Sequence, residues 1–155
     1  MPVLRKEASR LKSHLGYRMR IVSNAVSHSF ARKLAATGVT VAEWVILREM
    51  FAGDERTSPS AVAAMTGLTR GAVSKLVDRL LRKGLATRAK SSADRRYQEI
   101  ELTPKAVRLV PKLAAIADEN DQLFFSALPE PERRALMKTL VKLAELHRLG
   151  THPIE

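Results

Sequence analysis

The sequence predicts a mainly α-helical chain that carries one small β-hairpin. Three observations support this class. Over most of the 155 residues, apolar side chains recur every three or four positions, which is the period of an amphipathic helix. Between about residues 85 and 102 they instead alternate in part, as they do in strands. Residues that cap helices, and prolines that start them, separate the helical segments.

Two helices are predicted in the first third of the chain. The first runs from Leu11 to Leu34, and Gly38 is expected to cap its end in the left-handed conformation. Its apolar face comprises Leu11, Leu15, Met19, Val22, Val26, Phe30 and Leu34. The second helix begins at a capping box formed by Thr40 and Glu43. The residues that it is predicted to turn inward are Val41, Trp44, Val45, Leu47 and Phe51.

Two short helices joined by a tight turn come next. A cap followed by proline starts the third helix at Ser58, and this helix ends at Gly67. The next cap, Thr69, stands only two residues later, and the fourth helix ends at Gly84. The residues that the fourth helix is predicted to bury are Val73, Leu76, Val77 and Leu80. Two short helices joined by a turn that contains glycine have the layout of a helix-turn-helix.

A hairpin and two further helices complete the predicted fold. Leu85 to Lys90 and Tyr97 to Leu102 are predicted strands, joined by a polar and basic tip. A helix-turn-helix followed by such a hairpin is a winged helix. A long helix is predicted from about Lys105 to Ala127, with a kink or a detached first turn at Pro111. A final helix starts near Pro129 and carries Leu136, Leu140, Leu143 and Leu146.

The charge balance points to a polyanionic partner. The chain has 27 Lys and Arg residues against 16 Asp and Glu, a net charge of +11. Nucleic acid is the usual partner of such a chain, and an anionic membrane surface is a less common one. No apolar run is long enough to span a bilayer and the N-terminus lacks a signal-peptide core, so we expect a cytoplasmic protein without a membrane partner.

The basic charge is concentrated on the fourth helix and the hairpin. Between residues 69 and 96, nine basic residues face only two acidic ones, so this stretch holds +7 of the total. A helix fits the DNA major groove, where Arg70 and Lys75 are able to donate to guanine edges. Thr69 and Ser74 are placed to meet phosphate or base, and Gly71 lets the backbone approach closely. The alternative is a solvated charged face without a ligand.

An effector pocket is a second candidate site. Trp44, the single tryptophan, is predicted either to line this pocket or to be a core residue. His14, Tyr17 and Arg18 on the first helix are further candidates, because an arginine binds carboxylate ligands bidentately. The alternative for these three is a solvated or interface position.

Metal and catalytic sites are not expected. The chain has no cysteine, which excludes disulfides, Cys-ligated zinc and thiol nucleophiles. His14 and His28 lie too far apart on one helix to share a metal ion. Phosphate-binding and hydrolase motifs are absent from the sequence, so we predict no cofactor, no metal and no enzymatic activity.

Two segments and the order of elements carry a family resemblance. The segments are LTRGAVSKLVDRLLRKGLATR at residues 68–88 and ADRRYQEIELT at residues 93–103. With this order of helices and hairpin, the chain resembles the multiple-antibiotic-resistance regulator (MarR) family from about Leu11 to Leu149. The chain departs from peroxide-sensing members because it lacks cysteine, and from zinc-sensing members because it has only four histidines.

The resemblance implies specific roles and a division of the chain. Asp94 is expected to hold Arg96, which would probe the minor groove, and Arg95 is expected to contact phosphate. Residues 1–38 and 104–149 would form the helical dimerisation region, 39–103 the winged helix-turn-helix and 150–155 a flexible tail. Two recognition helices would then lie about 34–36 Å apart over a pseudo-palindrome. Family members typically repress genes until a small, often aromatic or acidic, effector binds.

Together these features predict a homodimeric, sequence-specific regulator of transcription that binds double-stranded DNA and is released as a repressor by an effector. The alternative is a non-specific or architectural DNA-binding protein. The candidate DNA-binding residues are Ser58, Thr69, Arg70, Gly71, Ser74, Lys75, Arg79, Arg88, Asp94, Arg95 and Arg96. The candidate effector-binding residues are His14, Tyr17, Arg18 and Trp44.

Overall fold

The computed structural model of the chain describes residues 7–89, 99–150 and 153. A 3-10 turn at Leu11–Ser13 precedes six helices and three short strands. In chain order these are α1 (Leu15–Ala35), α2 (Val41–Ala52), β1 (Arg56–Thr57), α3 (Pro59–Thr66), α4 (Arg70–Arg82), β2 (Ala86–Ala89), β3 (Glu99–Leu102), α5 (Pro104–Phe125) and α6 (Glu130–Leu146). The predicted class, mainly helical with a small β wing, is confirmed.

The sheet has one strand more than the predicted hairpin. Its order is β1-β3-β2 and both pairings are antiparallel, with Arg56 opposite Glu101 and Ala86 opposite Leu102. β1 has two residues, too few to show the alternation that identifies a strand in sequence. Because α3 directly follows β1, the pairing of β1 with β3 places the start of the helix-turn-helix at the edge of the sheet.

The core lies where α2, α4, α5 and the sheet meet the C-terminal end of α1. Its completely buried side chains include Leu34, Ile46, Leu47, Leu80 and Leu113. The four residues that α4 was predicted to bury are all buried. This face follows from spacing alone, because the opposite face of α4 is strongly polar.

The predicted inward face of α2 is only partly correct. Of the five predicted residues, Leu47 alone is fully buried, whereas Ile46, Met50 and the charged Glu43 form the rest of the buried face. Val41, Trp44, Val45 and Phe51 are half-buried. The helix is apolar nearly all round, so residue spacing does not select one face.

Three helix boundaries differ from or refine the prediction. His14 is extended, so the 3-10 turn is separated from α1, which begins at Leu15 rather than Leu11. Gly38 has a φ of +76°, as expected for the residue after a helix end. α5 continues through Pro111, so no first turn is detached. Lys90 and Tyr97, at the predicted strand ends, lie outside the described residues.

A large apolar surface remains exposed. In the described part of the chain, α6 has no fully buried residue. The exposed apolar side chains are Leu11, Leu15, Met19, Ile21, Val22, Leu123, Leu136, Met137, Leu140, Val141, Leu143, Leu146 and Leu149. They belong to both ends of the chain. Among the described residues, no helix combines the length and hydropathy needed to cross a membrane.

Candidate nucleic-acid interface

The turn between α3 and α4 is fixed by local hydrogen bonds. Gly67 ends α3 with a φ of +69°, a conformation that glycine adopts without steric cost. The buried Thr66 hydroxyl donates to the carbonyl of Val62 at 2.7 Å and accepts from the amide of Leu68 at 3.3 Å. These bonds fix the C-terminal end of α3 and the turn that leads into α4.

Ser58 and Thr69 are the N-caps of α3 and α4. The Ser58 hydroxyl accepts from the amide of Ala61 at 3.1 Å, and the Thr69 hydroxyl accepts from the amide of Ala72 at 3.3 Å. Each hydroxyl keeps its own proton for donation to a further acceptor. Their structural role is therefore compatible with the predicted contacts to DNA phosphates.

The first two turns of α4 form an exposed polar surface. Arg70, Gly71, Ser74 and Lys75 are all exposed, while Val73 between them is buried. A Cβ atom added at Gly71 would meet nothing within 4 Å. Packing within the protomer therefore does not require glycine there, whereas the close approach of a ligand backbone would.

A groove of about 460 Å³ runs beside this surface. α3 contributes Pro59 and Ser60, and α4 contributes Arg70, Ser74 and Asp78. Arg88 of β2 and Ile100 of β3 close it on the side of the wing. The fold thus brings the predicted residues Arg70, Ser74 and Arg88 together around one concave surface, although they are up to eighteen positions apart in sequence.

Arg79 lies on a different flank of α4. Its Nε atom is 3.4 Å from Oε1 of Glu43 in α2, and its side chain is 42% exposed. Lys83, one of the nine basic residues counted above, also forms an ion pair with Glu43. Part of the positive charge of this segment is therefore neutralised inside the protein, which the sequence did not reveal because Glu43 is forty positions away.

Arg56 is an exposed basic residue beside the wing that the sequence analysis did not select. Its Nε atom donates to Glu101 at 2.9 Å across β1 and β3. In the sequence, the only indication of a role for Arg56 was that an isolated arginine precedes the N-cap of α3. The predicted wing-tip residues Asp94, Arg95 and Arg96 lie outside the described residues.

The four candidate effector residues occupy two separate places in one protomer. Trp44 of α2 contacts Phe30 of α1 edge-to-face, with ring centroids 6.2 Å apart. Tyr17 precedes Phe30 by more than three turns, about 20 Å along α1. Near that end, Arg18 Nε donates to the carbonyl of Lys12 and His14 contacts Ser9. A pocket that uses all four residues would need two protomers.

Within residues 7–89, 99–150 and 153, no group of three or more His, Asp or Glu side chains is arranged to hold a metal ion.

Comparison with known proteins identifies a family that shares this sequence pattern. A model described as "MarR family" matches residues 37–96, from the loop after α1 to the predicted wing tip. A Thauera aromatica protein named "Putative transcriptional regulatory protein for hcr operon" is 31% identical over 134 residues. The alignment covers 86% of this chain and 80% of that relative.

Two solved structures share the fold. The organohalide sensing RdhR-CbdbA1625 transcriptional regulator in its 2,4-dichlorophenol bound form has a TM-score of 0.78 at 20% identity, over 100% of this chain and 99% of its own. A mutant MarR from E. coli complexed with operator DNA has a TM-score of 0.73 at 20% identity, over 83% of this chain and 92% of its own. These structural alignments cover most of both chains, so the shared fold includes the terminal helices.

Proposed function

The chain belongs to the MarR family, and from this premise we propose that it is a transcriptional regulator that binds a pseudo-palindromic DNA operator as a homodimer. The observation that carries the proposal is the exposed start of α4. There Arg70, Ser74 and Lys75 are exposed on the second helix of a helix-turn-helix, beside a wing whose sequence is basic. Because this activity requires access to the genome, we place the protein in the cytoplasm.

DNA contact would use two elements of each protomer. The N-terminal turns of α4 enter the major groove, where Arg70 and Lys75 read base edges. Arg88, and Arg95 and Arg96 at the wing tip, approach the neighbouring backbone and minor groove, with Asp94 holding Arg96. Ser58 and Thr69 donate to phosphates from the two helix N-termini, whose dipoles favour anions. Arg79 serves as a peripheral phosphate contact.

The exposed apolar surface supports a second copy of the chain as the first partner. A stripe of this extent on a water-exposed helix marks an interaction surface. α6 meets α1 and α5 at a cleft of about 510 Å³ lined by Val26, Phe125 and Leu140. In the same cleft, Nε of Arg133 is buried without a hydrogen-bond partner among the described residues. A two-fold interface formed by residues 1–38 and 104–149 would cover this surface.

A small effector would act at the junction between the two regions. One solved relative is described as organohalide sensing and has 2,4-dichlorophenol bound, which is an aromatic and weakly acidic compound. In this chain Trp44 supplies an aromatic wall, and Arg18 of a second protomer would supply a cation. We propose that an aromatic or acidic effector binds there and releases the protein from DNA, so that the protein acts as a repressor and not as an enzyme.

A competition experiment tests the DNA-binding proposal. Genomic fragments are captured by the purified protein at physiological salt, and the affinity of the enriched fragment is compared with that of random DNA. A preference of roughly 1,000-fold or more supports a specific regulator. Equal capture of all fragments would instead indicate an architectural protein. The logarithm of the affinity should fall steeply with the logarithm of salt concentration, because several phosphates are contacted.

A further inference from the structure

Glu43 is a charged residue with no exposure to solvent. Its relative accessibility is 0%, the same as that of the leucines around it. Nζ of Lys83 donates to both of its carboxylate oxygens at 2.9 Å, and Nε of Arg79 lies 3.4 Å from Oε1. A buried ion pair is generally no more stabilising than apolar residues of similar volume. The capping box of α2, which needs only an exposed glutamate, does not explain this burial.

The cluster joins four parts of the chain. Glu43 accepts from the amide of Thr40 at the start of α2, and Lys83 also donates to the carbonyl of Gly38 in the loop after α1. Lys83 and Arg79 belong to the C-terminal end of α4. Nζ of Lys105, in the first turn of α5, donates to the carbonyl of Lys83 at 3.0 Å. α4 is therefore joined through Glu43 to α2, and through Lys83 to the loop after α1 and to α5, which belong to the proposed dimerisation region.

The cluster lies far from the end of α4 that faces DNA, so a small rotation at the cluster displaces that end by a larger distance. α4 has 13 residues, so Arg70 stands about 20 Å from the cluster along the helix. A rotation of about ten degrees at the cluster moves the start of α4 by roughly 3 Å, close to the rise of one base pair. A rotation of this size in each protomer would change the distance between the two α4 helices of a dimer.

We propose that the Glu43–Lys83–Arg79 cluster is a positioning device that fixes the angle of α4 to the dimerisation helices and thereby selects the half-site spacing. The inference rests on the proposed function, because spacing has meaning only for a dimer on a two-fold operator. Glu43 and Lys83 do not need to touch DNA for this role. A cluster that served stability alone would leave the spacing preference unchanged.

The double variant Glu43→Gln/Lys83→Met distinguishes a cluster that positions α4 from one that only stabilises the fold. It removes both members of the buried pair, and the remaining charge of Arg79 is on a side chain that is 42% exposed and reaches solvent, so thermal unfolding should stay close to that of the wild type. Dissociation constants are measured on the enriched operator and on versions with one base pair added or removed at its centre. The matched control is Asp54→Asn/Arg48→Met, which removes one negative and one positive charge from exposed positions at the end of α2, outside α4 and the proposed dimer interface.

We expect the wild type and the control to prefer one spacing strongly, and the double variant to lose at least roughly tenfold of that preference, or about 1.4 kcal/mol. A folded double variant that keeps the full preference would overturn the inference.

If the double variant does not fold, Arg79→Gln replaces it, because the half-exposed Arg79 tolerates substitution. Loss of a phosphate contact weakens binding to operators of every spacing equally, so it leaves the ratio of their dissociation constants unchanged. An unchanged ratio with Arg79→Gln therefore also overturns the inference. A wild type that binds no operator would refute the proposed function itself.

Discussion

The hydroxyl of Ser29 donates a 2.8 Å hydrogen bond to Oδ1 of Asn120, and so joins α1 to α5. Asn120 is 4% exposed, and its amide nitrogen donates to the carbonyl of Val26 at 3.2 Å. Both bonds lie in the proposed dimerisation region. They set the register of the two helices that carry the winged helix.

Asn120→Ala should lower the free energy of unfolding by about 1–3 kcal/mol, because the Ser29 hydroxyl and the Val26 carbonyl lose a partner. Chemical denaturation followed by circular dichroism measures the change. The control is Asn24→Ala at an exposed position of α1, with an expected effect within about 0.5 kcal/mol. Equal effects of the two variants would show that the buried bonds contribute nothing.

Gly71→Ala should change stability and DNA affinity in opposite directions. Space around Gly71 is open, so alanine should stabilise α4 by up to about 1 kcal/mol. The same methyl group would hold the helix away from DNA and weaken operator binding roughly tenfold, or by about 1.4 kcal/mol. Thermal unfolding and a fluorescence-anisotropy titration measure the two quantities. Unchanged affinity would remove Gly71 from the interface.

Arg70→Ala and Lys75→Ala should each relax sequence preference at defined base positions. The expected loss is about 1–3 kcal/mol where the contact is bidentate. Titrations against operators with single base-pair changes locate the position that each residue reads. Arg48→Ala at an exposed position of α2 is the control and should bind like the wild type. If both α4 variants also behave like the wild type, the docking of α4 is wrong.

Leu140→Glu should dissociate the dimer. Leu140 is 41% exposed in one protomer and lies in the middle of the apolar stripe of α6. Lost burial in both copies is worth at least about 3 kcal/mol, so the dimer dissociation constant should rise by roughly 100-fold or more. Sedimentation equilibrium measures the change, and Lys138→Glu on the same helix is the control. A dimer that persists unchanged would place the interface elsewhere.

Arg18→Gln tests the proposed effector pocket. The variant should bind the operator like the wild type, because no DNA contact is assigned to Arg18. It should need a higher concentration of a chlorophenol or aromatic carboxylate for release from DNA, because the cation that pairs with the ligand is lost. Anisotropy titrations with increasing compound measure this. Release that is unchanged would exclude Arg18 from the pocket.

Residue spacing was sufficient to predict the helix-turn-helix. In α4 the buried residues recur every three or four positions and polar residues occupy the opposite face, so the amphipathic period identifies a single inward face. Proline, glycine and threonine at the helix ends fixed the boundaries because each has a specific backbone role there. Arg70, Ser74 and Lys75 could therefore be assigned to the exposed face from sequence.

Other features depend on contacts that are distant in sequence. The burial of Glu43 requires Lys83, forty positions later, and the capping box already gave that glutamate a role at the surface. β1 forms only because β3 lies beside it. The inward face of α2 could not be chosen, because Val41 and Val45 are as apolar as Ile46 and Met50.

Footprinting of the captured operator tests the central claim most directly. Protection of two half-sites whose centres are one helical turn apart, about 10 base pairs, would support a dimer with α4 in successive major grooves. The protection should disappear with the Leu140→Glu variant at concentrations where it is monomeric. Uniform protection along the fragment, or protection of one isolated half-site by the wild type, would contradict the account.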